Sequence, residues 1–563
     1  MKQLLLSTAA AISLIAVAAV CSGSARADSD NGNGRDNKTA TPIKHLVVIF
    51  GENRSFDHYF GTYPNAGNPQ GEIPFIAKQG TPASNNYIAN PALLTNNPNL
   101  NPANGAGASN PFRLDRTQAN TKSQNHAYTP EQQANDNGAA DLFPKFTGRG
   151  TPGGVGAFGT TGQVMGYFDG NTVTAMWNYA QYFAMNDNAY TDTYGPSSPG
   201  ALEVIAGQNN GGIQVRGAAP NSSLVADGQG GFTLIGDIDP AGDTCSSATS
   251  QVLMASKNIG DLLNVAGISW GSFMGGFNLQ AQNANGTTGC QRSTFTNVVG
   301  ATITDYIPHH AWFQYYTSTA NPTHARPSSI NAIGHSTVTN GKALDPANHA
   351  YDLQDFFAAA NANNLPAVSY IKMSAYQDGH PGNSDPLDEQ QGVADLINFL
   401  QQQPDWKDTA IIVTYDDSDG WYDHAYASPT SASYHPTADQ VNGPGQCGTG
   451  VASQPQPDGL AGTPVNGRCG PGTRVPFLVI SPYAKQNFVS HTRISQASVV
   501  RFIEDNWLNG ERLGGGSFDA SAGSIMDMFD FDHGDQNRGA NSNQLFLDPE
   551  TGIVVSPAPQ NRH

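Results

Sequence analysis

Three segments rich in acid, amide and histidine follow directly on apolar runs. HLVVIF, residues 45–50, runs into Glu52-Asn53-Arg54-Ser55-Phe56-Asp57; AIIVTY, ending at Tyr415, runs into Asp416-Asp417-Ser418-Asp419. AVSYI, ending at Ile371, is followed after a short interval by Asp378-Gly379-His380. Open α/β sheets bind ligands beyond the carboxyl ends of their strands. Carboxylates, an amide and a histidine gathered there describe a hard, oxygen-rich site for a divalent cation. Asp416 and Asp417 would repel each other if unpaired, and such a cation relieves that repulsion. Acids of this kind also serve as helix N-caps or solvated loop charges, but two segments built on the same logic argue against that reading.

A hydroxyl nucleophile has one good candidate place. In Gly195-Pro196-Ser197-Ser198-Pro199-Gly200, Pro199 suits the first position of a helix and makes Ser198 its expected N-cap. Ser197 then precedes a helix N-terminus, where free N–H groups and the dipole favour a phosphate. Beside a metal that lowers its pKa, this hydroxyl can attack. Histidines supply the remaining chemistry: His126, the pair His309-His310 after Pro308, His380, and His424 after Asp423. No HExxH, GxSxG, Walker A or GxGxxG motif occurs at a convincing place, which removes the common metalloprotease, α/β-hydrolase, P-loop and Rossmann dehydrogenase readings.

The elements that must position these groups are legible as apolar periodicity. Buried strands are expected at 45–50, 367–371, 410–415 and 475–480. Amphipathic helices are expected at 172–185, 390–403 and 498–508. Apolar strands alternating with such helices predict an α/β sandwich with a central, mainly parallel sheet. Residues 67–162 are rich in Asn, Pro, Gly and Gln without periodicity, and read as long insertions. Boundaries follow: a signal peptide over 1–27, a flexible leader over 28–44, one catalytic domain with insertions over 45–533, and a polar tail over 534–563.

The chain has 563 residues, 46 Asp+Glu against 27 Lys+Arg, a net charge of −19, 38% hydrophobic and 13% charged residues. That is enough apolar chain for a core and too few charges for a disordered polyelectrolyte. The acidic balance argues against a nucleic-acid partner and against simple docking on anionic membranes. Lys2, an apolar stretch over 4–20 and Ala25-Arg26-Ala27 form a secretory signal pattern, so the mature protein is expected in the periplasm or medium without stable membrane insertion. Four cysteines then remain, and an even count in an exported chain predicts disulfides. Sequence order suggests Cys245–Cys290 and Cys447–Cys469, one of three possible pairings; no CxxC suggests zinc.

Glu52-Asn53-Arg54-Ser55-Phe56-Asp57-His58-Tyr59-Phe60-Gly61 resembles the opening motif of the bacterial phosphoesterase family, which includes non-haemolytic phospholipases C and secreted acid phosphatases on an alkaline-phosphatase-like α/β fold. The resemblance continues through Gly195-Pro196-Ser197, His309-His310, Asp378-Gly379-His380, Tyr415-Asp416-Asp417, Arg474-Val475-Pro476 and Ser490-His491-Thr492. It implies Glu52, Asn53, Asp416 and Asp417 as ligands of a divalent metal. Ser197 is implied as the nucleophile that also touches the metal, and His126, His309, His310 and His380 as groups lining the phosphate. The phospholipase branch usually has threonine in place of Ser197, and its larger members carry C-terminal β-domains for which little chain follows Trp507. Both departures favour an acid phosphatase acting on small phosphate esters, with a phospholipase C acting on phospholipid as the alternative. An inactive scaffold used for binding is the alternative of another class, and the complete set of Glu52, Asn53, Ser197, Asp416 and Asp417 speaks against it.

Overall fold

The computed structural model describes Asp36 and residues 38–217, 221–335, 345–449, 454–532 and 543–555, with the backbone of 338–339 and 342–343 besides. The signal-peptide stretch lies outside the described residues. Eight strands form the central sheet: β1 His45–Gly51, β2 Ala184–Asn186, β3 Trp270–Met274, β4 Ala350–Asp352, β5 Val368–Lys372, β6 Thr409–Tyr415, β7 Phe477–Ile480 and β8 Phe488–Ser490. Their spatial order is β4-β3-β5-β1-β6-β7-β2-β8. All run in one direction except β7, which is antiparallel to both neighbours. This is the α/β, mainly parallel architecture expected from the sequence.

β1 and β6 are covered on both faces, which is why their sequences are continuous apolar runs instead of alternating ones. Each buried Val, Leu or Ile contributes roughly 1.5–3 kcal/mol relative to exposure. Six helices matter for the site: α1 Phe56–Phe60, α2 Tyr128–Asn135, α3 Thr174–Tyr182, α4 Ser197–Ala206, α5 Pro386–Gln401 and α6 Ala497–Trp507. Strand alternation assigns two of them to opposite faces. Val48 pairs with Tyr370, and the Tyr370 hydroxyl donates to the Val204 carbonyl of α4 at 3.2 Å. Gly51 pairs with Tyr415, and the Tyr415 hydroxyl donates to Glu389 of α5. Position 51 is of opposite parity to 48, so α4 and α5 sandwich the sheet. α4 packs against α6, and α3 against α5.

The insertions have structure of their own. Residues 210–254 build a five-stranded sheet in the order Leu224–Ala226, Phe232–Leu234, Asn210–Arg216, Gln251–Met254, Asp239–Pro240. The Asn-rich stretch after residue 67 is held by amide side chains instead of periodic elements. Asn86 donates to the Phe60 and Tyr63 carbonyls at 2.9 and 2.7 Å, and Asn99 bridges Ala140 and Phe143. Cys245–Cys290 and Cys447–Cys469 form both expected disulfides.

Of the segment read as a flexible leader, Asp36 and residues 38–44 lie against the domain. Asp36 accepts from the Ser269 N–H and hydroxyl, and Ala40 and Thr41 bond to Asn506. Within the polar tail, residues 543–555 dock on α5, where Gln401 and Asn398 pair with the backbone of Leu545 and Leu547. Among the described residues no helix is long and apolar enough to cross a membrane.

One buried ionic cluster ties the sheet to its loops. Because β7 is antiparallel, its leading residue Arg474 arrives at the edge where the other strands end. Its guanidinium, fully buried, meets Asp423 at 2.8 Å and Asp57 of α1 at 3.2 Å, and donates to the Asp187 carbonyl at 2.6 Å. His424 Nδ1 closes the cluster on Asp57 at 2.6 Å. Burial acts to raise the Asp57 pKa, but His424 and Arg474 together hold it below its unfolded value of 3.8. Burial acts to lower His424, and Asp57 outweighs it, so His424 lies above 6.5. The Asp57 contribution is therefore present above about pH 4 and lost as pH falls through its depressed pKa; that of His424 is present below about pH 6.5 and lost as pH rises through its raised pKa. Asp57→Asn should cost about 3–5 kcal/mol by denaturant unfolding at pH 6, with the difference from wild type shrinking at the acid end; a loss that does not vary with pH would contradict this.

Candidate active site

β1 and β6 run in register to their ends, Gly51 opposite Tyr415. Glu52 and Asp416 consequently leave the sheet side by side. Asn53 then adopts a left-handed backbone, φ 66°, which Asn tolerates better than most residues. This turns its N–H onto Asp416 Oδ1 at 2.7 Å, while its side-chain amide donates to Asp419 at 3.0 Å. The Glu52 N–H donates to the Asp378 carbonyl at 2.7 Å, and the Arg54 N–H to the Asp417 carbonyl at 2.9 Å. All three acidic segments anticipated from the sequence are thus joined through backbone.

The serine is delivered by α4, which begins at Ser197 with Pro196 in the capping position and no side-chain cap. This corrects the expected cap. Ser198 lies inside the first turn, and its N–H and hydroxyl both donate to Asp237 Oδ1, at 3.0 and 3.1 Å. Pro199 is accommodated because first-turn N–H groups have no intrahelical partner. Gly200 permits the approach: a Cβ there would lie 2.0 Å from the Asp416 carbonyl oxygen. With the helix seated on Asp416, Ser197 Oγ donates to Glu52 Oε2 at 2.9 Å and lies 3.5 Å from both Asn53 Oδ1 and Asp417 Oδ2.

The four expected histidines form a row beside these groups. His126 and His380 have ring centroids 6.1 Å apart, His380 and His310 6.4 Å, His310 and His309 4.6 Å. His310 Nδ1 lies 3.3 Å from Glu52 and 3.5 Å from Asp378; His126 Nδ1 lies 3.0 Å from Asp419. Burial opposes the charge on His126, but Asp417 and then Asp419 raise its pKa well above the ordinary value. His309 is raised by Asp237 and Asp239 against its burial. His310 is driven well below by burial and by the neighbouring His309 and Lys372, and His380 is lowered chiefly by burial. Along the row the pKa is thus raised at the two ends, His126 and His309, and lowered at the two rings between them. His424 stands apart, in the Asp57 cluster.

The carboxylates are under strong electrostatic pressure. Burial, then the charge of Glu52, raises Asp416 well above the usual range; burial and Asp416 do the same to Asp417, and burial lifts Asp378 to about 7. Asp416 Oδ2 and Asp378 Oδ2 are buried with no hydrogen-bond donor. Ligand atoms of Glu52, His310 and Asp378 could also converge on one ion. Orphaned acceptors amid oxygen donors, with Asn53 and Ser197 in reach, fit a hard divalent cation, for which Glu52, Asn53, Asp416 and Asp417 are the ligands expected from the sequence. Two other acid–histidine groups have their partners already: Asp57, Asp423 and His424 share Arg474, and Cys245 beside Asp243 and His324 is in a disulfide.

Sequence reasoning missed three supporting residues. Lys372, the last residue of β5, is buried and pairs with Glu52 Oε1; a lysine closing an otherwise apolar strand was the available signal. Glu131 of α2, also buried, accepts from the Gly195 N–H at 3.0 Å and the Ser418 hydroxyl at 2.7 Å, tying the turn before Ser197 to the turn after Asp417. Asp237 comes from the inserted sheet, far away in sequence. No local pattern marks either acid.

The chain belongs to the Phosphoesterase family, whose profile matches residues 43–508. It is 25% identical to phospholipase C A of Mycobacterium tuberculosis over 82% of this chain and 72% of that one. It is 22% identical to a non-hemolytic phospholipase C of Pseudomonas aeruginosa over 83% of this chain and 54% of that one, so it spans about half of the latter. A fainter likeness, TM-score 0.28 at 12% identity over 64% of this chain and 95% of that one, links it to murine ectonucleotide pyrophosphatase/phosphodiesterase 5.

Asp416→Asn should lower the divalent metal retained after desalting to roughly a tenth of wild type or less, read by elemental analysis. Undiminished metal would remove Asp416 from the ligand set. Gly200→Ala should cost about 1–3 kcal/mol by overpacking, read by thermal unfolding, and should lower turnover as α4 is pushed off Asp416.

Proposed function

We propose that this protein is an exported, metal-dependent phosphomonoesterase that works through a phosphoserine on Ser197. The observation that carries this reading is the convergence on Ser197 Oγ of Glu52, Asn53 and Asp417 within 2.9–3.5 Å. Ser197 Oγ attacks phosphorus in line with the ester oxygen; the Oγ–P bond forms as the P–O bond to the alcohol breaks. Its proton passes to Glu52 Oε2, to which the hydroxyl already donates. His126 and His309, whose pKa values neighbouring acids raise, offset charge on the phosphoryl oxygens when protonated, and either can then give a proton to the departing alkoxide. Water then attacks phosphorus from the vacated side and gives a proton to the histidine that protonated the alcohol; the Oγ–P bond breaks, Glu52 returns its proton to Ser197 Oγ, and phosphate leaves. A divalent cation bound by Glu52, Asn53, Asp416 and Asp417 would favour the serine alkoxide and neutralise phosphoryl charge.

Monoester preference rests on charge. A monoester approaches a dianion above pH 6 or so, and the two histidines, when protonated, offset a charge that a diester lacks. The second reading, a phospholipase C acting on phosphatidylcholine, is favoured by the names of the curated relatives. Two disulfides are consistent with export.

Ser197→Ala should reduce turnover of p-nitrophenyl phosphate by about 10³-fold or more, and acid quench of wild type with a labelled monoester should trap label on Ser197. The rate should peak at about pH 5–7, where charged phosphate and protonated histidine coexist. Faster cleavage of phosphatidylcholine than of monoesters, or an optimum above about pH 8, would favour the phospholipase reading instead.

A further inference from the structure

A cavity of about 500 Å³ opens beside the first turn of α4. His126, Arg149, Pro196, Ser222, Ser223 and Asp237 are among the residues that line it. Pro196 is bonded to Ser197, and Asp237 holds the N–H and hydroxyl of Ser198. The cavity is thus built from residues that already shape the site, and its volume suits a monosaccharide or nucleoside. Asp237 is exposed to it and uses only Oδ1 on Ser198, which leaves Oδ2 to accept from a hydroxyl.

Arg149 is the unusual member. The chain carries a net charge of −19, yet this exposed guanidinium pairs with no carboxylate among the described residues. Its backbone is fixed nonetheless: the Arg149 N–H donates to Gln124 Oε1 at 2.8 Å, and the same glutamine donates to the Lys122 carbonyl. Lys122 is a second exposed base without an acidic partner among the described residues. An Arg that lines the same cavity as His126, has its backbone held and pairs with no acid among the described residues offers planar, two-pronged recognition of an anion. The phosphoryl group being transferred is met by the histidine row, so an anion at Arg149 is a different group on the same substrate.

We propose that this cavity holds the alcohol portion of the substrate and that Arg149 binds a second anionic group carried by that alcohol, so that the favoured substrates are phosphomonoesters of hydroxylated alcohols bearing a further phosphate or carboxylate. This deepens the phosphomonoesterase reading and rests on it. The hydroxyls of such an alcohol face Asp237 Oδ2 and the two serines, and its distal anion reaches Arg149.

The test compares fructose 1,6-bisphosphate with fructose 6-phosphate, which differ in one phosphate. Wild-type full-length protein should show the higher kcat/KM on the bisphosphate. Arg149→Gln should lower the ratio of the two kcat/KM values about tenfold, mostly through KM, and Arg149→Lys should restore part of it. An unchanged ratio in Arg149→Gln would overturn the proposal. Calorimetric binding of the bisphosphate in a Ser197→Ala background supplies a reading independent of turnover. There, adding Arg149→Gln should weaken binding of the bisphosphate about tenfold more than that of fructose 6-phosphate; equal weakening, or none, again overturns it. Failure of the wild type to turn over either sugar phosphate, with Arg149-dependent binding intact, would count against the phosphomonoesterase reading and leave the anion site standing.

Discussion

Mutual repulsion among buried carboxylates is the constraint to which this structure answers. Glu52, Asp378, Asp416 and Asp417 follow neighbouring parallel strands into one place where all four are buried. Two like charges about 4 Å apart repel by ~4 kcal/mol at an effective dielectric of 20, so the group cannot ionise freely on its own. The fold supplies part of the remedy: Lys372 on Glu52 and the Asn53 N–H on Asp416. It leaves part undone, in the orphaned oxygens of Asp416 and Asp378. That residual deficit of positive charge is what makes the site receptive to a cation.

Holding the serine in such a field requires rigidity from several directions. α4 rests on the Asp416 backbone because Gly200 has no side chain. Glu131 fixes the turn ahead of Ser197 from one side, and Asp237 fixes Ser198 from another. Each contact is short, buried or both, and each comes from a different part of the chain. Ser197 is therefore placed by packing before any substrate arrives, which is the condition under which proximity lowers a barrier.

The sequence made the sheet legible where burial on both faces produces continuous apolar runs, as in β1, β5 and β6, and it made the acids legible because such strands must end at a functional edge. α5 and α6 were legible from periodicity to within a few residues. The start of α4 was not, because Pro199 satisfies the third helical position as well as the first, and the contact that decides it, Ser198 to Asp237, spans the chain from the core to an insertion. The direction of β7 was equally hidden: an apolar run has no polarity, and its antiparallel course alone brings Arg474 to the site edge. Asn-rich residues after 67 have no period to read, since their order comes from single amide contacts such as those of Asn86 and Asn99. Asp36 and Thr41 lie in a composition typical of disorder, yet they dock through a few polar bonds that composition cannot register.

Two clusters at the same sheet edge sharpen the functional assignment. Asp57, Asp423 and His424 have the residue types of a metal site, and Asp57 lies in the same 52–61 motif as Glu52. The difference is Arg474, whose guanidinium engages both acids and leaves the group electrically complete. Such a cluster has nothing to gain from a ligand, and its role is to fasten α1 and the turn after β6 to β7. The Glu52 group has only one buried lysine against several acids, together with the Ser197 hydroxyl held at hydrogen-bond distance. With the same residue types a few residues apart, the unbalanced cluster is the one with chemistry left to do, and the balanced one supplies the stiffness that keeps it in place.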